Sequence, residues 1–227
     1  VGSPICSEKL KDIMALSFQM AMDIYEVIRE NNDKNQHTVL ILPVGPVTQY
    51  PILVELINRT RLSLKNVHIF SMDEYLDENM ELIPEDHFLS FRGFMRREFY
   101  GKIDPELNVP EENRYFPTPN DNGFYWNRIQ ELGGVDACFG GIGINGHIAF
   151  NEPPEPGESM TVEEFSSLPT RIVKMSREVR LTNAILEMSG YYQGMPTHCV
   201  TVGMKEILSS KKIRLYVMRD WHRGVLR

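Results

Sequence analysis

Short apolar runs alternate with stretches of helical periodicity along most of the chain, and this alternation restricts the fold more than any other feature. Thr38-Val39-Leu40-Ile41-Leu42, Val67-His68-Ile69-Phe70, Val135 to Phe139, Arg171 to Met175, His198 to Val202 and Ile213 to Met218 read as strands. Runs this short and this apolar are buried on both faces, which requires helices above and below a mainly parallel sheet. Helical spacing supplies them. Leu10, Ile13, Met14, Ser17, Ala21, Ile24, Tyr25 and Ile28 fall on one face between Ser7 and Glu30. Tyr50 to Asn58 with Pro51 in its first turn, Asp86 to Phe99, Phe124 to Leu132 and Thr182 to Met188 are further predicted helices. In Asp86–Phe99 the apolar face is Phe88, Phe91, Phe94 and Met95. The expectation is a three-layer α/β fold, one domain over residues 1–227, with helices on both faces of the sheet.

In open parallel sheets, ligands bind beyond the carboxyl ends of the strands. Three polar segments stand at such ends: the Pro43–Gln49 loop, Asp73-Glu74, and Gly140 to Glu152. The third reads Gly140-Gly141-Ile142-Gly143-Ile144-Asn145-Gly146-His147-Ile148-Ala149-Phe150-Asn151-Glu152-Pro153. Its glycines let the backbone turn sharply and lie against a ligand. A glycine turn alone is a structural connection, and a single His among apolar residues is usually a packed one. Here the same loop also carries Asn145 and Glu152, and the combination reads as an active site. Asp73, taken alone, reads equally as a capping or turn residue at a strand end. The Pro153–Glu158 stretch is either a cover for the site or an inert connection.

The formal net charge of −7 argues against a general electrostatic hold on nucleic acid, and no aromatic-basic stripe suggests one. A local pocket for an anion remains compatible with it. Cys6, Cys138 and Cys199 show neither C-x-x-C spacing nor a disulfide framework, and core packing is expected of the last two. A reducing, cytoplasmic setting is the expectation. No signal peptide, membrane-length apolar run, metal-ligand cluster or nucleotide fingerprint is evident. The expected partner is therefore a small molecule, with no cofactor, no metal and no membrane, and with a homo-oligomer left open.

Ser71-Met72-Asp73-Glu74-Tyr75 and the long glycine segment, together with Thr170-Arg171-Ile172 and Thr201-Val202-Gly203, resemble the glucosamine-6-phosphate deaminase/isomerase family. The related 6-phosphogluconolactonases share the Gly-x-Gly-x-x-Gly-His core, but His-Ile-Ala-Phe-Asn-Glu-Pro and Met-Asp-Glu-Tyr look like the deaminase branch. The resemblance implies a Rossmann-like fold. It also implies cofactor-free aldose–ketose isomerisation of an amino sugar phosphate with loss of ammonia. By the same resemblance, Asp73 is the general base at C2, His147 moves the proton that opens the ring, and Glu152 orients His147 and stabilises its charged form. The implied substrate-binding set is Gly45, Thr48, Glu74, Gly141, Gly143, Gly146, His222 and Arg223.

Departures from the family pattern are specific. Asn145 stands where the family has Asp; its carbonyl can hold His147 in one tautomer but cannot offset an imidazolium charge. In the Pro43-Val44-Gly45-Pro46-Val47-Thr48 loop, Pro46 has no N–H to give a phosphate. Ile185 falls where the family has an Arg, with Arg180 about one turn earlier. His222 replaces a family Lys, with Arg219 and Arg223 nearby. Trp221 to Arg227 reads as the opening of a helix, so the usual C-terminal segment of the family is expected to be lacking. A lactonase-type hydrolase using His147 to activate water, and a sugar-binding regulatory protein without turnover, are the alternative readings.

Overall fold

The computed structural model describes residues 5–155 and 157–226. Five parallel strands form one sheet in the order β4-β2-β1-β5-β8: β1 (Thr38–Leu42), β2 (Val67–Ser71), β4 (Arg114–Tyr115), β5 (Ala137–Gly140) and β8 (Lys212–Leu215). The side chains of β1 alternate between two apolar layers. Leu40 and Leu42 pack with Ile24 and Ile28 of α1 (Ile13–Asp33) and with Leu53 and Ile57 of α2 (Gln49–Thr60). Val39 and Ile41 face Tyr125 and Ile129 of α4 (Phe124–Glu131) and Ile207 of α7 (Met204–Leu208). This two-sided burial explains why the run carries no polar alternation. Cys138 and Cys199 are buried, the first in the α4-side layer and the second beneath the smaller sheet.

The predicted strands at Arg171 and His198 do not join the parallel sheet. β3 (Asp73–Leu76), β7 (His198–Thr201) and β6 (Arg171–Lys174) make a separate antiparallel sheet in the order β3-β7-β6. Asp73-Glu74 is thus the start of a strand rather than a turn. Met72 is the joint between the two sheets. Its N–H donates to the Leu42 carbonyl at 3.0 Å, and its own carbonyl accepts from the Val202 N–H at 2.6 Å. Tyr75, Leu89, Phe150, Met175, Val179 and Cys199 form the core beneath this smaller sheet.

Helix limits follow local chemistry. α1 begins at Ile13 rather than Ser7 because the Asp12 side chain accepts from the Ala15 N–H at 2.9 Å. The Asp86–Phe99 helix is reduced to α3 (Phe91–Phe94), followed by a π-helical turn, Met95–Phe99. A Cβ on Gly93 would lie 2.0 Å from the Glu85 carbonyl oxygen, so glycine lets the preceding chain fold back over α3 instead of extending it. Phe88, expected in the core, is 63% exposed. α5 (Val162–Ser166) carries a Thr161/Glu164 capping box. α6 (Arg177–Glu187) starts five residues before its predicted limit because Ser176 caps it. α8 (His222–Val225) is the short helix near the end. Pro156 of the proline-rich stretch and Arg227 lie outside the described residues. Among those described, no helix is long and apolar enough to cross a membrane, and no group of three or more His, Cys, Asp or Glu is placed to hold a metal ion.

Candidate active site

All three polar strand exits open onto one cavity of about 300 Å³, in the size range of small-molecule sites. Gly45 and Pro46 line it from the exit of β1, Asp73 and Tyr75 from β3, and Gly141, Gly143 and His147 from the loop after β5. Period-2 alternation explains the third strand: Asp73 and Tyr75 share the cavity face, while Glu74 points the other way.

The loop after β5 is closed by the Gly143 N–H donating to the His147 carbonyl at 2.8 Å and by Gly146 at φ +90°. A Cβ on Gly143 would fall 1.9 Å from the His147 ring. Only glycine allows the imidazole to lie flat across that backbone. The Asn145 Oδ1 sits 2.7 Å from His147 Nδ1, and the Asn145 Nδ2 donates to Glu152 Oε2 at 2.7 Å. A carboxylate only accepts, so the amide N–H group must face Glu152 and the amide oxygen must face the ring. Nδ1 therefore carries the proton, leaving the Nε2 lone pair free. The second oxygen of Glu152 accepts from the Ser176 N–H at 2.9 Å, at the start of α6. Burial lowers the His147 pKa below the ordinary histidine value, and the Glu152 charge pulls it partly back. The imidazole is held as a neutral base at neutral pH.

Asp73 is 7% exposed, and among the described residues no hydrogen bond holds its carboxyl group. Desolvation raises its pKa well above the usual carboxylate range, and the neighbouring Glu74 charge adds to the effect. A largely desolvated carboxylate is a stronger base than an exposed one, which suits removal of a proton from carbon.

No family model matches the chain. Individual proteins do. It is 31% identical to the glucosamine-6-phosphate deaminase of Caenorhabditis elegans over 198 residues, 84% of this chain and 67% of that one. It is also 31% identical to the enzyme of that name from Bacillus pumilus over 205 residues, 87% of this chain and 77% of that one. The chain belongs to the glucosamine-6-phosphate deaminase family. The match spans 62% of the length of the Phocaeicola vulgatus enzyme of that name and 77% of the Bacillus pumilus one. Among solved structures, a monomeric glucosamine-6-phosphate deaminase superposes with a TM-score of 0.73 at 27% identity, covering 91% of this chain and 79% of that one. A 6-phosphogluconolactonase from Thermotoga maritima superposes at 0.63 and 14% identity, covering 96% and 86%, which shows a shared fold.

Within this member of the deaminase family, several predicted site residues take other places. Glu74 is completely buried and does not line the cavity. Its carboxylate accepts from the N–H groups of Tyr75, Phe91 and Arg92, from the Ser90 hydroxyl and from the Arg92 guanidinium, at 2.9–3.2 Å. Thr48 turns from the cavity, its hydroxyl 2.5 Å from that of Ser17. Arg223 is 83% exposed, off the cavity wall and near Asp220. Glu152 has no hydrogen bond to His147; the two are linked through Asn145. Asn145 and Gly146 border a neighbouring hollow of about 290 Å³ rather than the main cavity. His222 lines the cavity, but both ring nitrogens are taken by backbone, Nε2 donating to the Ile142 carbonyl at 2.8 Å and Nδ1 accepting from the Arg219 N–H at 2.8 Å. Arg180 is spent on the carbonyls of Met195 and Pro196 and the Tyr192 hydroxyl. Conversely, Asn183 and Glu187 of α6 line the cavity without any signal in the sequence, and Asn183 donates to the Tyr75 hydroxyl at 3.0 Å.

Proposed function

We propose that this protein isomerises and deaminates an amino sugar phosphate, glucosamine 6-phosphate or a close analogue, to the ketose phosphate and ammonia. The observation that carries the reading is a largely buried Asp73, without a hydrogen-bond partner among the described residues, and a tautomer-fixed His147 on the wall of one cavity, in a chain of this family.

The chemistry divides between the two. His147 Nε2 accepts the proton of the anomeric hydroxyl and returns it to the ring oxygen, opening the ring. Asp73 removes the proton from C2 and delivers it to C1, while a proton passes from the amino nitrogen to the C1 oxygen, leaving a C1 hydroxymethyl group and an imine at C2. Water adds to that carbon, nitrogen leaves as ammonia, and a ketone remains. Asn145 and Glu152 are positioning residues: they keep the Nε2 lone pair available and supply negative charge two bonds away when the ring is protonated. Each proton transfer is worth roughly 10²–10⁴-fold in rate.

The test is release of ammonia and ketose phosphate from glucosamine 6-phosphate by the purified chain. Turnover that falls by about 10² or more in Asp73→Asn and in His147→Gln supports the assignment. Full turnover in Asp73→Asn removes the base from the scheme. Hydrolysis of 6-phosphogluconolactone in place of ammonia release would show that the fold serves the lactonase chemistry instead.

A further inference from the structure

We propose that Arg219 holds the anionic end of the substrate. This assignment rests on the deaminase reading for the identity of the sugar, and on the cavity itself for the anion site.

Of the groups expected to bind phosphate, the Gly45 backbone remains on the wall, and the side chains are occupied or lie elsewhere. Pro46 offers no N–H, the Thr48 hydroxyl is paired with Ser17, Arg180 is committed to the Met195 and Pro196 carbonyls, and Arg223 lies off the wall. Among the described residues lining the cavity, Arg219 is the one Lys or Arg. Its guanidinium has no hydrogen-bond or ion-pair partner among those residues. Arg219 is exposed and lines the cavity, and a guanidinium there with its donors unpaired suits a bidentate oxyanion.

Arg219 is also held in place. It follows the exit of β8, and its N–H donates to His222 Nδ1 at 2.8 Å while His222 Nε2 donates to the Ile142 carbonyl at 2.8 Å. One imidazole thereby ties the Arg219 turn to the glycine loop that carries His147. The remaining formal charges on the wall are the carboxyl groups of Asp73 and Glu187. A phosphorylated amino sugar entering this field has one attractive group for its phosphate and two for its ammonium. The field therefore orients the substrate, phosphate toward Arg219 and C2 toward Asp73.

The experiment compares wild type and Arg219→Gln on glucosamine 6-phosphate and on unphosphorylated glucosamine. The expected result is a KM for the phosphorylated sugar raised about tenfold to a hundredfold, kcat within about threefold, and unchanged handling of glucosamine. Arg219→Lys should recover part of the loss, having the charge without the fork. An unchanged KM, or an equal loss on both sugars, overturns the proposal. A second measurement does not depend on turnover: inorganic phosphate should raise the melting temperature of the wild type and not that of Arg219→Gln. Equal protection of both proteins, or of neither, overturns the anion site. Protection confined to the wild type, in a protein that releases no ammonia, leaves the anion site standing and removes the deaminase reading.

Discussion

Asn145 shows how a single amide sets the direction of a proton relay. Its oxygen faces His147 only because its nitrogen faces a carboxylate. In Glu152→Gln, the amide oxygen would keep the Ser176 N–H, and its nitrogen would meet the nitrogen of Asn145. Asn145 must then rotate and present N–H to the ring, which moves the histidine proton to Nε2 and removes the base. The expected result is a fall in kcat of roughly 10²–10⁴-fold, with the tautomer change visible by nitrogen NMR of His147. Asn145→Asp alone places two carboxyls against each other, so one must hold a proton and the pH profile shifts. Asn145→Asp combined with Glu152→Gln restores an acceptor to the ring and a donor to that acceptor. Activity above that of Glu152→Gln alone is the expected rescue; no rescue would mean the relay does not act through the tautomer.

At the scale of elements, Glu74 anchors α3 to β3. It satisfies the first N–H groups of the helix and the partly buried Arg92. Glu74→Ala leaves these donors and a guanidinium unpaired and should destabilise the fold by about 3–5 kcal/mol, read as a lower denaturant midpoint. Glu74→Gln removes the charge that helps raise the Asp73 pKa, so the acid limb of the rate profile should move to lower pH. The sequence carried β1 in full because its burial on two faces is written in five consecutive apolar or β-branched residues. The glycine loop was legible for the same reason: Gly143, Asn145, His147 and Glu152 lie close together in the chain. The antiparallel sheet was not legible, since Asp73 pairs with Thr201 across most of the chain and neither segment marks the direction of its partner. The role of Glu74 was hidden likewise, because its partners on α3 are reached only after the chain folds back at Gly93.

At the scale of the whole molecule, the site holds the folded state below the stability its core permits. Asp73 has a higher pKa folded than unfolded, so its ionised form is disfavoured by folding. That penalty is present in full above the folded pKa, shrinks as the pH falls through it, and is absent below the ordinary Asp value of about 3.9. Asp73→Asn keeps the shape and removes the charge. It should therefore unfold at a higher temperature than the wild type at neutral pH, by about 2–4 °C for each kcal/mol recovered in a chain of this size. The two melting temperatures should converge as the pH is lowered past the carboxylate range. The same substitution is expected to abolish turnover, so stability gained and activity lost would come from one carboxyl group. A melting difference that stays constant from neutral to acidic pH would show that desolvation of Asp73 is not its source.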